Sequence, residues 1–414
     1  MIKHLFKMVW NRKRTNFLMT VEIFFSFLVL FTVILFAVYY TDNYRRPLGF
    51  SYENVLNISM TSRQADRPPP SEPNQPAGRK EPSPALVIAR QLFLTFRDFD
   101  EIESFAGVDI SPYSNSTSIT SYDLAVGTVE VYVNAATDSF ADTLGLNVTR
   151  GRWFSKEDDG AGYLPIVINE RLSRKVFGNA DPIGKNLLGS ASSGEGAVAR
   201  EHRVIGVITD FRKDGEFAGP QNYMFQRQSL DNPKSQPPQH ILVRVRPGTT
   251  AEFEARLMTR MLAVAKDWSF EIEPVADARE EALKLYLTPI IAGGLVAVFL
   301  MIMVALGLTG VLWQNVTQRT KEIGLRRAKG ATAGNIYTQI LGELLVITSF
   351  GLAIGIVVVV QFPLLDLIGF ISNKVYIFSV VLSLLLIYGL TLLCGLYPSR
   401  LATRVQPADA LHYE

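Results

Sequence analysis

Residues 317–331 read TQRTKEIGLRRAKGA and separate two long apolar runs. The basic residues are Arg319, Lys321, Arg326, Arg327 and Lys329, against the single acid Glu322. An excess of Arg and Lys in a short loop between spans places that loop on the cytoplasmic side of a membrane. Thr317 can serve as an N-cap and Gly330 as a left-handed C-cap, and Glu322 precedes Arg326 in the favourable i,i+4 order. We predict a short helix between two membrane spans, with a charged cytoplasmic face.

The composition indicates membrane spans joined to a large polar domain. The chain has 414 residues, of which 48% are hydrophobic and 19% charged, and its net charge is only +2. Such a small net charge gives no reason to expect a nucleic-acid partner. The single cysteine, Cys394, excludes a disulfide within one chain, and the four histidines lack the spacing of metal ligands. We therefore expect no metal, and neither a catalytic nor a cofactor-binding constellation is recognisable.

Hydropathy predicts four spans in a one-plus-three arrangement, because each run is long enough to cross about 30 Å of hydrocarbon. The predicted spans are 17–40, 285–313 (including the end of a helical approach), 336–361 and 375–396. The basic segments 1–16, 314–335 and 397–414 are assigned to the cytoplasm. The domain 41–284 and the short loop 362–374 are then on the outer side, so both termini lie inside the cell.

The outer domain is predicted to be α+β, since helical and alternating patterns follow one another irregularly. Predicted helices cover 85–96, 170–177 and 250–265, the last with Thr250 as N-cap; predicted strands cover 127–136, 165–169, 202–209, 241–245 and 270–275. Residues 61–84 are rich in proline and poor in large apolar residues, so we predict a disordered loop there.

Several short patterns suggest chemistry but have simpler structural explanations. Residues 178–186 resemble a phosphate loop, yet the glycine spacing is wrong and Asn186 stands where Ser or Thr would hold magnesium, so we favour a turn. The acids Glu157, Asp158 and Asp159 could bind calcium, but a solvated loop is the more frequent outcome. His202 and His240 could act together only if the fold joined them.

Two acids within or beside the predicted spans are functional candidates. Ionisable side chains in membrane segments are costly to bury, so Glu22 and Glu343 require a partner or a role. Both lie near the cytoplasmic ends, and we favour pairing or helix packing over proton coupling. Gly351 and Gly355 form a Gly-x-x-x-Gly pair, which favours close helix contact and gives weak support to dimerisation.

The quoted stretch also resembles a known family. Residues 318–331 are similar to the signature loop of the MacB/FtsX family of ABC transporter permeases. Residues 397–411, YPSRLATRVQPADAL, resemble the closing segment of that family, in which a proline starts a short cytoplasmic helix. The outer stretches 144–154, 177–185 and 204–207 resemble the family's periplasmic domain, in the same order along the chain.

This resemblance implies a permease of the bacterial inner membrane that performs mechanical work. It implies that the helix at 318–330 is a coupling helix that docks on an ABC ATPase, and we assign the docking face to Glu322, Ile323, Leu325, Arg326 and Arg327. The sequence given contains no ATPase segment, so we expect ATP to bind a separate cytoplasmic subunit and this chain to be non-catalytic. The resemblance further implies a homodimer, or a heterodimer with a paralogous permease. A periplasmic adaptor and an outer-membrane channel are further partners to consider.

The cargo and two rival functions stay open on the sequence alone. Candidate cargoes are peptides or drugs taken from the periplasm and lipoproteins extracted from the membrane. One rival is a membrane-anchored signalling or regulatory protein that controls an outer partner such as a cell-wall hydrolase. Another is an ion-coupled transporter using Glu22 and Glu343, although the nearly pure apolar character of 290–312 and 344–360 counts against it.

Overall fold

The computed structural model describes residues 13–62, 82–124, 126–187, 201–233, 235–318, 325–326, 329–365 and 367–403. The chain divides into two compact units. A membrane unit combines Met1–Asp42 with Tyr286–Glu414, and an outer unit comprises Asn43–Leu285. The predicted outer domain was 41–284.

The described residues form eight α-helices and ten strands. The helices are α1 (Lys13–Tyr44), α2 (Pro84–Phe96), α3 (Phe140–Leu144), α4 (Glu170–Phe177), α5 (Ala251–Val264), α6 (Val275–Gln318), α7 (Ala333–Leu364) and α8 (Asn373–Thr403). The strands are β1 (Val55–Ser62), β2 (Ile102–Val108), β3 (Ile119–Leu124), β4 (Gly127–Ala136), β5 (Val148–Gly151), β6 (Leu164–Asn169), β7 (His202–Ile208), β8 (Tyr223–Arg227), β9 (His240–Val245) and β10 (Trp268–Pro274).

Four of the helices are long and apolar enough to cross a membrane, as predicted. The candidate spans are Phe17–Tyr44, Val275–Gln314, Gly334–Leu364 and Asn373–Leu396. They extend beyond the predicted runs because polar residues at the ends continue the helical hydrogen bonding outside the apolar stretch. In particular, α6 begins at Val275, although residue 275 was predicted to end a strand.

Of three predicted helix ends, two are wrong and one is confirmed. Thr317 is inside α6, where its hydroxyl donates to the carbonyl of Trp313 at 2.9 Å, so it is not an N-cap. Pro398 does not start a new helix, because α8 continues through it to Thr403. Thr250 is the N-cap of α5, as predicted, although its side chain makes no capping bond and its carbonyl accepts from the Phe253 amide.

The membrane unit has one core to which all four long helices contribute. Gly351 and Gly355 lie on the face of α7 that packs against α1. A Cβ added at Gly351 would be 2.9 Å from Cγ2 of Ile23, and one added at Gly355 would collide with the ring of Phe27. Small residues allow two helix backbones to approach closely where apolar lipid gives no hydrophobic driving force. The Gly-x-x-x-Gly pair therefore serves packing within this chain.

Several hydroxyl groups inside the membrane unit form hydrogen bonds within or between its helices, whereas the buried Ser26 hydroxyl on α1 has none among the described residues. Thr348 and Thr391 approach each other between α7 and α8 at 3.2 Å, and the Tyr376 hydroxyl donates to the Val359 carbonyl at 2.5 Å. Ser379 and Ser383 each donate to the carbonyl four residues earlier in α8. Because an unsatisfied polar group is costly in hydrocarbon, these bonds make the polar residues compatible with a spanning helix.

The outer unit contains one mixed sheet with the strand order β10-β1-β9-β2-β4-β8-β6-β7-β5, and β3 pairs with β4. Strands β10, β1, β9 and β2 are antiparallel to their neighbours, and α2 follows β1 as α5 follows β9. This order and these connections define a ferredoxin-like half. Its core joins α2 and α5 to the sheet through Leu92, Phe96, Phe253 and Leu257.

Residues 109–239 form an inserted half between β2 and β9. Here β4 runs parallel to β8 and β6 parallel to β7, whereas β6 is antiparallel to β8. A cluster of buried rings, including Phe140, Phe211, Tyr223 and Phe225, fills the space over these strands. The predicted α+β class is therefore correct.

The loop predicted at 61–84 is narrower than its composition suggested. Thr61 and Ser62 are the last residues of β1, and Pro84 is the first residue of α2. Ser83 caps α2 by accepting from the Leu86 amide at 3.2 Å, and proline is tolerated at the first helical position because that position needs no amide donor. Residues 63–81 lie outside the described part of the chain.

Candidate coupling site

Of the five predicted docking residues, the structure describes Leu325 and Arg326. Both are helical, and the side chain of Leu325 is 49% exposed. The Lys329 amide donates to the Leu325 carbonyl at 3.1 Å, and the Ala331 amide donates to the Arg326 carbonyl at 3.0 Å. Gly330 has φ of +93°, so the predicted left-handed glycine at the end of this segment is confirmed. Glu322, Ile323 and Arg327 lie outside the described residues.

Arg326 is directed toward the third membrane helix of its own chain. Its Nη1 donates to Oε1 of Gln339 at 2.6 Å, and Nε2 of Gln339 donates to Oε1 of Glu343 at 3.3 Å. Gln339 and Glu343 are one turn apart on α7, and all three side chains are partly buried. The amide of Gln339 accepts from the cation and donates to the acid, so it connects the two charges.

This arrangement gives the acid at the start of α7 a structural explanation. Glu343 accepts a hydrogen bond from Gln339, which in turn accepts one from Arg326 in the loop. This agrees with the prediction that pairing, and not proton coupling, explains this acid. Gln339 was missed by the sequence analysis. Its i,i+4 spacing from Glu343, near the end of a basic loop, is the signal that could have identified it.

Glu22 is on α1, and its carboxylate lies beside Gly307 of α6. A Cβ added at Gly307 would be only 2.9 Å from Oε2 of Glu22, so glycine leaves the space that the carboxylate occupies. Glu22 and Glu343 are thus associated with different helix pairs: the first with α1 and α6, the second with α7 and the loop before it. This placement supports packing and pairing roles for both acids.

The acidic run of the outer unit forms ion pairs. Asp158 is only 6% exposed and accepts from Arg152 at 2.6 and 2.8 Å and from the Ser155 amide at 3.0 Å. Asp159 pairs with Arg227 at 2.5 Å, and Arg227 also pairs with Asp138 at 2.7 Å. The expectation of a solvated loop is therefore wrong for Asp158, because its carboxylate is needed inside the turn. Among the described residues no group of three or more acids, histidines or cysteines could hold a metal ion.

Electrostatics at this turn depend on the Arg152–Asp158 pair. Burial by itself raises the pKa of Asp158, but the hydrogen bonds from Arg152 and from the Ser155 amide outweigh it, so the pKa is lowered from its ordinary value. The hydrogen bond from Arg227 lowers the pKa of Asp159 in the same way. Both carboxylates are held in the charged form that their arginines require.

The other candidate chemistry of the outer unit resolves into ordinary structure. His202 is on β7 and His240 is on β9, and four other strands separate these two in the sheet. The sequence 178–186 is a turn, as predicted: Gly178 ends α4, and Gly178 and Gly184 both have positive φ. Neither feature forms a catalytic or nucleotide-binding site in the described structure.

Comparison with known proteins agrees with this architecture. The family described as the MacB-like periplasmic core domain matches residues 24–259, and the FtsX-like permease C-terminal family matches residues 294–407. The chain belongs to the MacB/FtsX family of ABC transporter permeases. The two matches together include the first span with the outer domain and the last three spans, and the resemblance noted in the sequence is confirmed.

Individual relatives are similar to this chain over part of their length. The macrolide export ATP-binding/permease protein MacB of Hahella chejuensis is 30% identical over 69% of this chain and 43% of its own length. The protein of the same name from Bdellovibrio bacteriovorus is 28% identical over 64% of this chain and 41% of its own. The chain thus spans less than half the length of these curated relatives.

A solved structure is also similar to part of this chain. The periplasmic region of MacB from Actinobacillus actinomycetemcomitans is 17% identical, with a TM-score of 0.34, over 53% of this chain and 89% of that one.

We predict that Asp158→Asn destabilises the outer unit in a pH-dependent way. The lowered pKa of Asp158 means that its charge contributes stability above the pKa of an unfolded aspartate, about 3.9, and that this contribution is lost as the pH falls through the folded pKa. Near neutral pH the variant should lose about 1–3 kcal/mol, the cost of a disrupted buried charged hydrogen bond. Thermal unfolding of the full chain at several pH values measures the difference, which should shrink toward acid pH. Glu157→Gln, at the exposed neighbouring position, is the control; an equal, pH-independent loss in both variants would contradict the assignment.

We also predict that Gln339→Leu loosens the segment around Leu325. With the hydrogen bonds to Arg326 and Glu343 removed, the amides of Lys329 and Ala331 should exchange with deuterium faster, by about tenfold for each 1.4 kcal/mol lost. Hydrogen-exchange mass spectrometry on the full chain in lipid measures this change. Thr338→Val is the matched control, since the Thr338 hydroxyl bonds only within the first turns of α7 in the described contacts. Equal exchange in the two variants would show that the Gln339 bonds do not hold the segment.

Proposed function

We propose that this chain is the permease subunit of an ABC-type export complex in the bacterial inner membrane. A separate cytoplasmic ATPase binds ATP and docks on residues 318–330, and its closure moves the outer unit, on the periplasmic side. The chain itself performs no catalysis in this proposal. Both termini face the cytoplasm, in keeping with the basic segments at 1–16, 314–335 and 397–414.

The observation that carries this proposal is the continuity of α6. The helix runs without interruption from Val275, in the outer unit, through the second span to Gln318, where the proposed coupling segment begins. With a rise of about 1.5 Å per residue, its 44 residues extend about 66 Å, twice the thickness of the hydrocarbon layer. Pro289 lies inside this helix and removes one of its backbone hydrogen bonds, but the helix continues on both sides of it, so a displacement at the cytoplasmic end can pass to the outer side.

Leu325 and Arg326 have different roles in the proposed docking. Leu325 is about half exposed and supplies the apolar anchor, whereas Arg326 faces Gln339 and fixes the orientation of the segment on α7. We propose that Glu322, Ile323 and Arg327 complete the docking face, with Ile323 and Leu325 entering a groove of the ATPase. Interfaces of this kind obtain most of their affinity from a few buried anchors and their specificity from charges.

We propose export from the periplasm as the activity, with a cargo such as a drug, a peptide or a lipoprotein. The names of the relatives from Hahella chejuensis and Bdellovibrio bacteriovorus support export as the class of function. In the proposed complex the permease acts as a dimer, formed by two identical chains or by a paralogue. An adaptor and an outer-membrane channel complete the export route where the cargo must leave the cell.

The docking assignment predicts that Leu325→Asp weakens association with the ATPase. Placing a carboxylate at an apolar anchor should cost at least about 2 kcal/mol, or about 30-fold in affinity. The measurement is the amount of ATPase subunit that co-purifies with the full-length permease from its native membranes, together with the ATP turnover of the complex. Asn335→Asp introduces the same charge at an exposed position near the start of α7 and should leave association intact. Undiminished co-purification with Leu325→Asp would rule out this docking face.

A further inference from the structure

The segment Phe211–Ala218, here called the clasp, joins β7 to β8 in the inserted half. It contains three charged side chains that are almost fully buried: Arg212 is 2% exposed, Lys213 is 1% and Glu216 is 7%. Removing charged groups from water is costly unless each is paired and hydrogen-bonded. A loop with three such groups must therefore have an organised set of partners, and these partners come from far along the chain.

Arg212 holds the outer end of the first long helix. Its Nη1 donates to the carbonyl of Asn43 at 2.8 Å and to that of Arg46 at 3.0 Å. Its Nη2 donates back to the clasp, to the carbonyls of Glu216 at 2.5 Å and Ala218 at 2.6 Å. The guanidinium thus bridges the C-terminus of α1 to the loop, where a cation is also favoured by the helix dipole.

Further bonds fix the same helix end. Nδ2 of the buried Asn43 donates to the Phe217 carbonyl at 3.1 Å, and the Arg212 amide donates to the Leu48 carbonyl at 3.0 Å. Gly49, with φ of +84°, passes so close to the Asp210 carbonyl that no side chain would fit. The chain is therefore held on the clasp from the last turn of α1 to the residue before Phe50.

Glu216 holds the first turns of α6. Its Oε1 accepts from Nε of Arg279 at 2.5 Å, and its Oε2 lies 3.5 Å from the Tyr113 hydroxyl. The Arg279 guanidinium also lies 4.7 Å from the centre of the Tyr52 ring, a favourable cation–π distance. One loop thus contacts both helices that lead into the membrane.

Lys213 connects the clasp to the rest of the inserted half. Its Nζ donates to the carbonyls of Ser114 at 2.8 Å and Ser116 at 3.0 Å and pairs with Asp214 at 2.5 Å. The Tyr113 amide donates to the Lys213 carbonyl at 2.8 Å. Gly215 has φ of +93°, and a Cβ there would lie 2.8 Å from Cε1 of Tyr113, so the loop is closely packed.

The chain path shows why these contacts matter. By sequence, α1 leads into β1 and α6 follows β10, and both strands belong to the ferredoxin-like half. Through the covalent connections alone, the helices would act directly on the ferredoxin-like half. The inserted half would then be connected to them only by way of the shared sheet. The clasp belongs to the inserted half and contacts both helix ends directly.

We propose that the clasp is the link by which the two membrane helices move the inserted half together with the rest of the outer unit. Arg212 and Glu216 act as positioning residues: they contact the helix ends and do not bind cargo. This inference rests on the proposed function, since it names where displacement of the helices enters the outer domain. Removing one partner of the buried ion pair would leave the other charge uncompensated, so each of these contacts matters to the link.

The test measures the distance between the inserted half and α6 in the full chain. Cys394, the only cysteine, is replaced by serine, and spin labels are placed at Lys175 on α4 and at Glu281 on α6, both exposed. Double electron–electron resonance is recorded in lipid nanodiscs without nucleotide. Glu216→Gln should convert a single narrow distance distribution into a broad one, because the start of α6 is released from the loop.

Two further variants separate a specific link from general damage. Arg279→Gln removes only the partly exposed half of the ion pair and should broaden the same distribution in a chain that still folds. Arg256→Gln disrupts the exposed pair with Glu101 in the ferredoxin-like half and should leave the distribution unchanged. Distributions as narrow as wild type in both Glu216→Gln and Arg279→Gln would overturn the proposed role of the clasp.

A second label pair keeps this result distinct from the proposed function. Labels at Ala255 on α5 and at Asn335 on α7 are compared with and without a non-hydrolysable ATP analogue, in the presence of the ATPase. If the distance between these labels in the wild type is the same with and without the nucleotide, the proposed coupling is wrong. The role of the clasp is then tested by the Lys175–Glu281 distances alone. Where the wild type does respond, labels at Lys175 and Asn335 are compared in the same way, and a nucleotide-dependent change of equal size in the wild type and in Arg279→Gln would count against the clasp alone.

Discussion

A chain that crosses hydrocarbon must satisfy every backbone N–H and C=O within its own helices, and the rest of this structure follows from that constraint. It requires α1 and α6 to be continuous through the membrane, and in both the helix extends past the apolar stretch. A helix that is stiff because of its hydrogen bonds is also a means of carrying movement. The contacts that hold these helices differ between the membrane and their outer ends.

The helices are held by different interactions within the membrane and at their outer ends. Within the membrane, close contact depends on glycine, as where Gly351 and Gly355 admit Ile23 and Phe27 of α1, and polar groups enter mainly as short local bonds. At the outer ends, buried charge is used: Arg212 donates to four carbonyls, and Glu216 pairs with Arg279. Removing one partner of a buried pair costs about 3–5 kcal/mol, because the other charge stays buried without compensation. Such a junction has a narrow range of allowed geometries.

The parts of the fold that could be predicted from sequence are those specified locally. Hydropathy located the four spans, and alternation of Val129, Val131 and Val133 predicted β4 with its observed bounds. The short central strand β8 was missed, because Tyr223, Met224 and Phe225 are all buried and show no alternation. The Arg212–Asn43 and Glu216–Arg279 contacts join residues far apart in the chain, so no window of sequence could reveal them. Likewise, Arg326 was assigned to a partner protein, and only the structure shows its bond to Gln339.

The most direct measurement of coupling is single-molecule fluorescence energy transfer between a donor at Leu365, which directly follows α7, and an acceptor at Ala255 in the outer unit. The full permease is studied with its ATPase in nanodiscs. Cyclic changes in transfer efficiency that require ATP, and that stop with a hydrolysis-deficient ATPase, are expected if the permease converts nucleotide turnover into movement of the outer unit. Transfer efficiency that stays constant through steady ATP turnover by the bound ATPase would contradict that role.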